Sequence, residues 1–247
     1  MPVTRETLTR LRELRESVGS AVDAATEAIS ATWATAWTGL SSSWSAALAA
    51  SFGKAGALGY WPRPWELSQI PEVSAATTAT ARATRDTAAA SASEASGAID
   101  AVIVATVATE PLIIASQLPA SVAVAMAAVV AGRVEPDSMR RVNATAQRKL
   151  ASPLRSLPRD VAQAVSREML RSPAPGDAGR SRMIGRIEAA FDGGRQRAVN
   201  ATRTESLDAQ RAAASAVHNA NEDLVGGWRW ACNLDVRVCP ACLAMHG

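Results

Sequence analysis

The sequence predicts a mainly α protein of long alanine-rich helices, closed by a small C-terminal α+β module in which a β-hairpin carries a cysteine knuckle. Three observations predict it. Hydrophobic residues make up 48 % of the 247 residues and aromatics only 4 %, so the apolar material is largely Ala and Val rather than the Phe, Tyr and Ile that fill sheets. The larger apolar residues recur in steps of three and four over long stretches, as one face of a helix requires. Cys232, Cys239 and Cys242 crowd one end of the chain and no cysteine occurs elsewhere.

The first element starts at Thr4, a hydroxyl-bearing N-cap with Glu6 favourably placed in the first turn. Its stripe runs Leu11, Leu14, Val18, Val22, Ala25, Ile29, Trp33, Trp37, Leu40, Trp44 and Leu48, one long helix or two in tandem. Trp33, Trp37 and Trp44 share the stripe and read as core first, and as a partner-binding ridge second. Residues 56–71 hold two glycines and three prolines and read as an ordered connector anchored by Trp61 and Trp65. Residues 74–109 are Ala, Thr and Ser with few bulky side chains before Ile99. They predict a helix that packs closely through small residues or stays partly loose.

Glu110-Pro111, Leu118-Pro119 and Glu135-Pro136 each place a proline suited to the first turn of a new helix, so short successive helices are expected here. Residues 111–132 carry no charge and match a membrane span in length, but Ser116, Gln117 and two prolines favour a buried helical hairpin over a span. Helices are then expected over Asp137 to Leu150, over Pro158 to Arg171 with Ser156 as N-cap, and over Asp177 to Phe191, the last ended by Gly193-Gly194. From Arg195 a long polar-faced helix runs to the glycines near 226. Beyond it, apolar residues alternate on either side of Asn233-Leu234-Asp235, the pattern of a short β-hairpin. These elements divide the chain into an N-terminal helical region, residues 1–135, extended or compact, and a C-terminal module, residues 136–247.

Net charge is +3 and the isoelectric point is near 9.1, a mild excess that alone does not imply nucleic acid. Its distribution is uneven, with Arg140, Arg141, Arg148, Arg155, Arg159, Arg180, Arg182, Arg186, Arg195, Arg197 and Arg203 in one stretch. Such a run is most often a solvated helix face; the alternative is contact with phosphate or an acidic partner, for which Arg140, Arg141, Arg148, Arg195 and Arg197 are the candidates. The clustered cysteines are not a secreted disulfide framework, and the charged N-terminus lacks the apolar core of a signal peptide, so synthesis in a reducing cytoplasm is expected.

Cys239-Pro240-Ala241-Cys242 has the spacing that aims two thiolates at one Zn²⁺, and His246 supplies a third candidate ligand, with Cys232 within reach across the hairpin. That is half of a closed structural site. A disulfide or free thiols, and a redox pair, are the competing readings. No nucleophile elbow, phosphate loop, dinucleotide fingerprint or HExxH is present, so an enzyme is not expected. Arg203, Thr204 and Glu205 on a helix read, taken alone, as a solvated ion pair, and His218 as a surface or partly buried histidine without catalytic meaning.

Taken in order, Arg203-Thr204-Glu205 on a helix, Trp228 or Trp230 opening a strand, Asp235, Arg237, Cys239-Pro240-x-Cys242 and His246-Gly247 resemble the phage Mu F-like head morphogenesis family, the minor head or minor capsid proteins. The resemblance covers roughly the last hundred residues, and its specificity lies in the ordered combination. Members usually continue to a second cluster of the His-Pro-x-Cys-Arg-Cys kind, so the expectation is that this sequence belongs to a longer or processed product whose remainder completes a structural zinc site. The resemblance implies a structural virion protein, in several copies, at the portal vertex inside the capsid. Its implied partners are the portal protein, capsid or scaffold protein and packaged DNA, and it implies a role in head assembly with departure alongside DNA at infection. A basic nucleic-acid-binding protein with a zinc-knuckle element, and a membrane-active ejection protein using residues 99–132, are the alternatives.

Overall fold

The computed structural model describes residues 4–174 and 176–225. Among these residues six helices follow one another: α1 (Arg5–Leu58), α2 (Pro64–Ser68), α3 (Pro71–Ala115), α4 (Ala120–Gly132), α5 (Pro136–Leu170) and α6 (Asp177–Asn219). The mainly helical class expected from composition is therefore observed. The predicted hairpin and the knuckle lie outside the described residues.

Thr4 caps α1, its Oγ1 accepting the Thr7 N–H at 3.1 Å. The helix then runs unbroken for 54 residues, about 80 Å at 1.5 Å per residue. It stops where Gly59 takes a left-handed conformation (φ 78°) and returns its N–H to the Ala55 carbonyl. The connector folds around the short α2, whose Glu66 accepts the Arg63 backbone N–H at 2.8 Å and the Tyr60 hydroxyl at 2.9 Å. Those two bonds hold the Glu66 carboxyl below its ordinary range. Trp61 anchors as expected, edge-on to Phe52 and donating to the Met169 carbonyl at 3.1 Å. Trp65 does not: its side chain is 58 % exposed.

α1 and α3 lie antiparallel in a fixed register. Gln117 donates to Thr7 Oγ1; Trp33 donates its indole N–H to Ser91 Oγ at 3.0 Å; Trp44 donates to Thr80 Oγ1 at 2.9 Å. Each step up α1 between these partners is matched by an equal step down α3. The last step, from Trp33 to Trp44 and from Ser91 to Thr80, is eleven residues, three turns of near-straight helix. The small residues of α3 permit this approach, since Ala76, Thr80, Thr84, Ala88, Ser91 and Ala95 are all buried. The Ala/Thr/Ser stretch therefore packs closely.

α5 and α6 form a second antiparallel pair against the first. One core joins Ile29, Trp33, Trp44 and Leu48 of α1, Val73 and Ile99 of α3, Leu150, Leu157 and Val161 of α5, and Met183, Ile187 and Phe191 of α6. At its centre Trp33 and Phe191 meet with ring centroids 5.0 Å apart. Trp33 and Trp44 are core, as predicted, whereas Trp37 is only half-buried. A smaller cluster of Leu14, Val18, Val22 and Val102 fills the pair's far end.

Four expected helix boundaries are overturned. α3 passes through Pro111, α5 runs on past Leu150 and through Pro158, with Pro153 between them, and α6 passes through Gly193-Gly194. An internal proline costs about 3 kcal/mol in an isolated helix, but Leu150, Leu154, Leu157 and Val161 are buried on both sides of the α5 prolines and hold the helix in line. Ser156 accordingly caps nothing and donates to Asp160 at 3.0 Å. Gly194 is a contact glycine rather than a stop: a Cβ there would lie 2.5 Å from Trp33 and 2.7 Å from Val161. The uncharged stretch 111–132 is also less buried than expected. It closes α3 and forms α4, of which only Ala127 and Val130 are buried while Val124 is 85 % exposed.

Candidate functional site on the fifth and sixth helices

α6 turns a stripe of small residues inward, with Ala198, Thr202, Ser206, Ala209 and Ala213 buried at three- and four-residue steps. Glu205 sits beside Ser206 at the edge of that stripe, and this register, not its own polarity, decides where it points. It lines a groove of about 280 Å³ between α5 and α6 with Ser138, Arg141, Val142, Lys149 and Asp208. Its Oε2 is buried without a hydrogen-bond partner. Burial pushes the Glu205 carboxyl above its ordinary range, the nearby Lys149 charge pulls it back, and Asp208 pushes it up again. Arg203 and Thr204 are exposed. The solvated Arg203–Glu205 ion pair expected from sequence is not formed; the two side chains leave α6 in different directions.

The candidate arginines separate into two groups. Arg140 pairs with Asp137, Arg195 with Asp192 at 2.5 Å, and Arg197 with Asp160 at 3.1 Å. The Arg195 bond holds Asp192 below the usual carboxylate range. The Ser156 hydroxyl is the main cause of the same shift at Asp160, ahead of Arg197 and Arg159. Arg141 and Arg148 instead donate to hydroxyls on their own helix, Ser138 Oγ and Thr145 Oγ1, each at 3.1 Å. These bonds orient a guanidinium without neutralising it.

Two features escaped sequence reasoning. His218 Nε2 lies 2.9 Å from Glu110 Oε2, and both side chains are nearly buried, so the pair ties the end of α6 to α3. The available signal was Glu110 itself, a lone acid at the head of an uncharged stretch. One turn on, Asn221 is fully buried and donates to the carbonyls of Val130 at 3.2 Å and Val217 at 2.9 Å, fastening α4 to the chain after α6.

Trp228, Trp230, Cys232, Asp235, Arg237, Cys239, Cys242 and His246 lie outside the described residues. Among the described residues no three His, Cys, Asp or Glu side chains gather as a metal site. One helix there, α3, is long and apolar enough to cross a membrane, and its apolar face is in good part packed against its neighbours. No family model, curated protein or solved structure matches this chain.

Proposed function

We propose that this chain is a structural minor head protein of a tailed bacteriophage, bound to the portal inside the capsid and acting in head assembly. The observation that carries the reading is the ordered series Arg203-Thr204-Glu205, Trp228, Trp230, Asp235, Arg237, Cys239-Pro240-x-Cys242, His246-Gly247, which resembles the Mu F-like head module. The helical architecture supports it: long helices in fixed register make a stiff body suited to a place between a protein ring and packaged DNA. In this reading Glu205 is a packing residue of the module rather than a catalyst, and Cys239, Cys242 and His246 are ligands of a structural zinc site.

The test is composition of the particle. Peptides from this chain should be found by mass spectrometry in purified virions, and the chain should co-elute with the phage's portal protein when the two are expressed together. Elemental analysis should find about one zinc per chain in particles. Absence from virions together with no portal co-elution would overturn the reading.

A further inference from the structure

α5 carries seven basic and three acidic residues, whereas α3, which packs against it, carries two basic and five acidic ones, so the charge is sorted between neighbouring elements of the bundle. On α5 the basic residues are sorted again by direction. The buried residues Ala146, Leu150, Leu154, Leu157 and Val161 define the inward face. At 100° per residue Arg141, Arg148 and Arg155 fall on the opposite side, in line, because seven residues make two turns with about 20° of drift. All three are exposed. Arg159 follows one turn later on the same side, beside Asp160.

Among the described residues none of Arg141, Arg148 and Arg155 forms an ion pair, in contrast to Arg140, Arg195 and Arg197, whose charges are answered by Asp137, Asp192 and Asp160. The result is a convex, straight ridge with a positive charge about every 10 Å for about 21 Å. A ridge of this kind encloses no small molecule, and it carries no exposed Trp, Phe or Leu between its arginines with which to enter a lipid surface. Its complement is an extended rod of regularly spaced negative charge. Duplex DNA presents about one phosphate charge per 1.7 Å of axis, so a stiff ridge laid along it meets phosphate whatever the sequence. We propose that Arg141, Arg148 and Arg155 form a sequence-independent docking surface for the phosphate backbone of double-stranded DNA. The proposal names one partner of the virion protein proposed above, but the ridge binds or fails to bind in isolation, so its failure would leave portal association untouched, and the reverse.

The experiment is fluorescence anisotropy of a labelled 30-base-pair duplex with the full chain at 50 to 200 mM NaCl. Wild type should bind, with affinity falling steeply with salt. Arg141→Gln/Arg148→Gln/Arg155→Gln should weaken binding at 50 mM by about tenfold or more and flatten the logarithmic salt slope by roughly 2.7, about 0.9 per lost phosphate contact. Arg→Lys at the same three positions should keep the slope, since point charge suffices. Arg140→Gln/Arg195→Gln/Arg197→Gln removes the same formal charge and should change affinity less than threefold; circular dichroism confirms that each variant is folded. The proposal falls if wild type does not bind at 50 mM, if the two Gln triples lose affinity equally, or if ridge-dependent binding goes to phosphatidylserine vesicles and not to DNA.

Discussion

Gly194→Ala sets two known effects against each other at one buried position. Replacing glycine by alanine inside a helix normally stabilises by about 0.5–1 kcal/mol, because the glycine chain has more freedom to lose. The new methyl would stand 2.5 Å from Trp33 Cη2 and 2.7 Å from Val161 Cγ2, and these neighbours are 1 % and 0 % exposed. Neither can swing into solvent, so helices must move apart, and overpacking of this kind costs about 1–3 kcal/mol. Gly193 is the internal control. It has the same helical backbone and nothing within 4 Å of an added Cβ. Gly193→Ala should therefore raise stability by about 0.5–1 kcal/mol, and Gly194→Ala should fall below it by about 1–3 kcal/mol. For a chain of this size each kcal/mol moves Tm by roughly 2–4 °C, so thermal unfolding followed by circular dichroism resolves the pair. If Gly194→Ala melts as high as Gly193→Ala, α6 does not approach Trp33 as described and the contact-glycine argument is wrong.

Thr80→Val keeps shape but removes the acceptor of the Trp44 indole N–H, and should cost about 1–3 kcal/mol in urea unfolding; a loss below 0.5 kcal/mol would show that the bond does not hold the register. Burial raises the Glu205 carboxyl, so the folded state favours its neutral form. The stability it contributes is present below the ordinary glutamate value near 4.5 and is lost as pH rises through the higher folded value. Glu205→Gln should remove that fall, and an unchanged profile of urea midpoint against pH would refute it. Asp192 has the opposite sign, its contribution being present above the ordinary aspartate range and lost as pH falls through the lowered folded value; Asp192→Asn should flatten the acid side only. Val124→Asp on the exposed side of α4 should change stability by less than about 0.5 kcal/mol, while Val130→Asp, fully buried, should unfold α4 from α3; equal effects would place α4 differently.

The helices were legible because their apolar stripes are long and regular, and α1 follows its predicted stripe from Leu14 to Leu48. Their ends were not, for a physical reason common to all four misplaced boundaries. Proline and glycine signal a break through local cost, and Pro111, Pro158, which with Leu150 bounded the expected gap in α5, and Gly194 sit where long-range packing outweighs it. Gly194 shows the limit clearly, since glycine is demanded there by Trp33, 161 residues upstream, and no local pattern carries that information. The site was legible only as residue types. Sequence put the Arg run and the Arg203-Thr204-Glu205 step on helices, but the division into paired and unpaired arginines depends on which acids the register brings near. Asp160 reaches Arg197 across 37 residues, and Glu205 turns inward because of its neighbours' packing.

Two different devices fix the two helix pairs, and the difference bears on function. In α1 and α3 the small side chains would tolerate sliding by three turns if packing alone decided, since Ala and Thr fill similar space. The hydroxyls forbid it. Thr80 and Ser91 each donate back to their own helix, to Ala76 and Thr87 at 2.8 and 2.7 Å, and keep a lone pair for a tryptophan N–H. A shifted register would bury two indole N–H groups with no acceptor, at about 1–3 kcal/mol each. α5 and α6 repeat the eleven-residue step at their rim, where Lys149 faces Asp208 at 3.6 Å and Arg197 faces Asp160 at 3.1 Å. Exposed pairs of this kind are worth less than about 1 kcal/mol, so the Trp33–Gly194–Val161 contact must set this register and the rim pairs only follow it. Asp160 and Asp208 are consequently taken up along the seam between α5 and α6. Among the described residues Arg141, at the rim of the groove there, and Arg148 and Arg155, on the face away from the core, form no ion pair and keep their charge available to an outside partner.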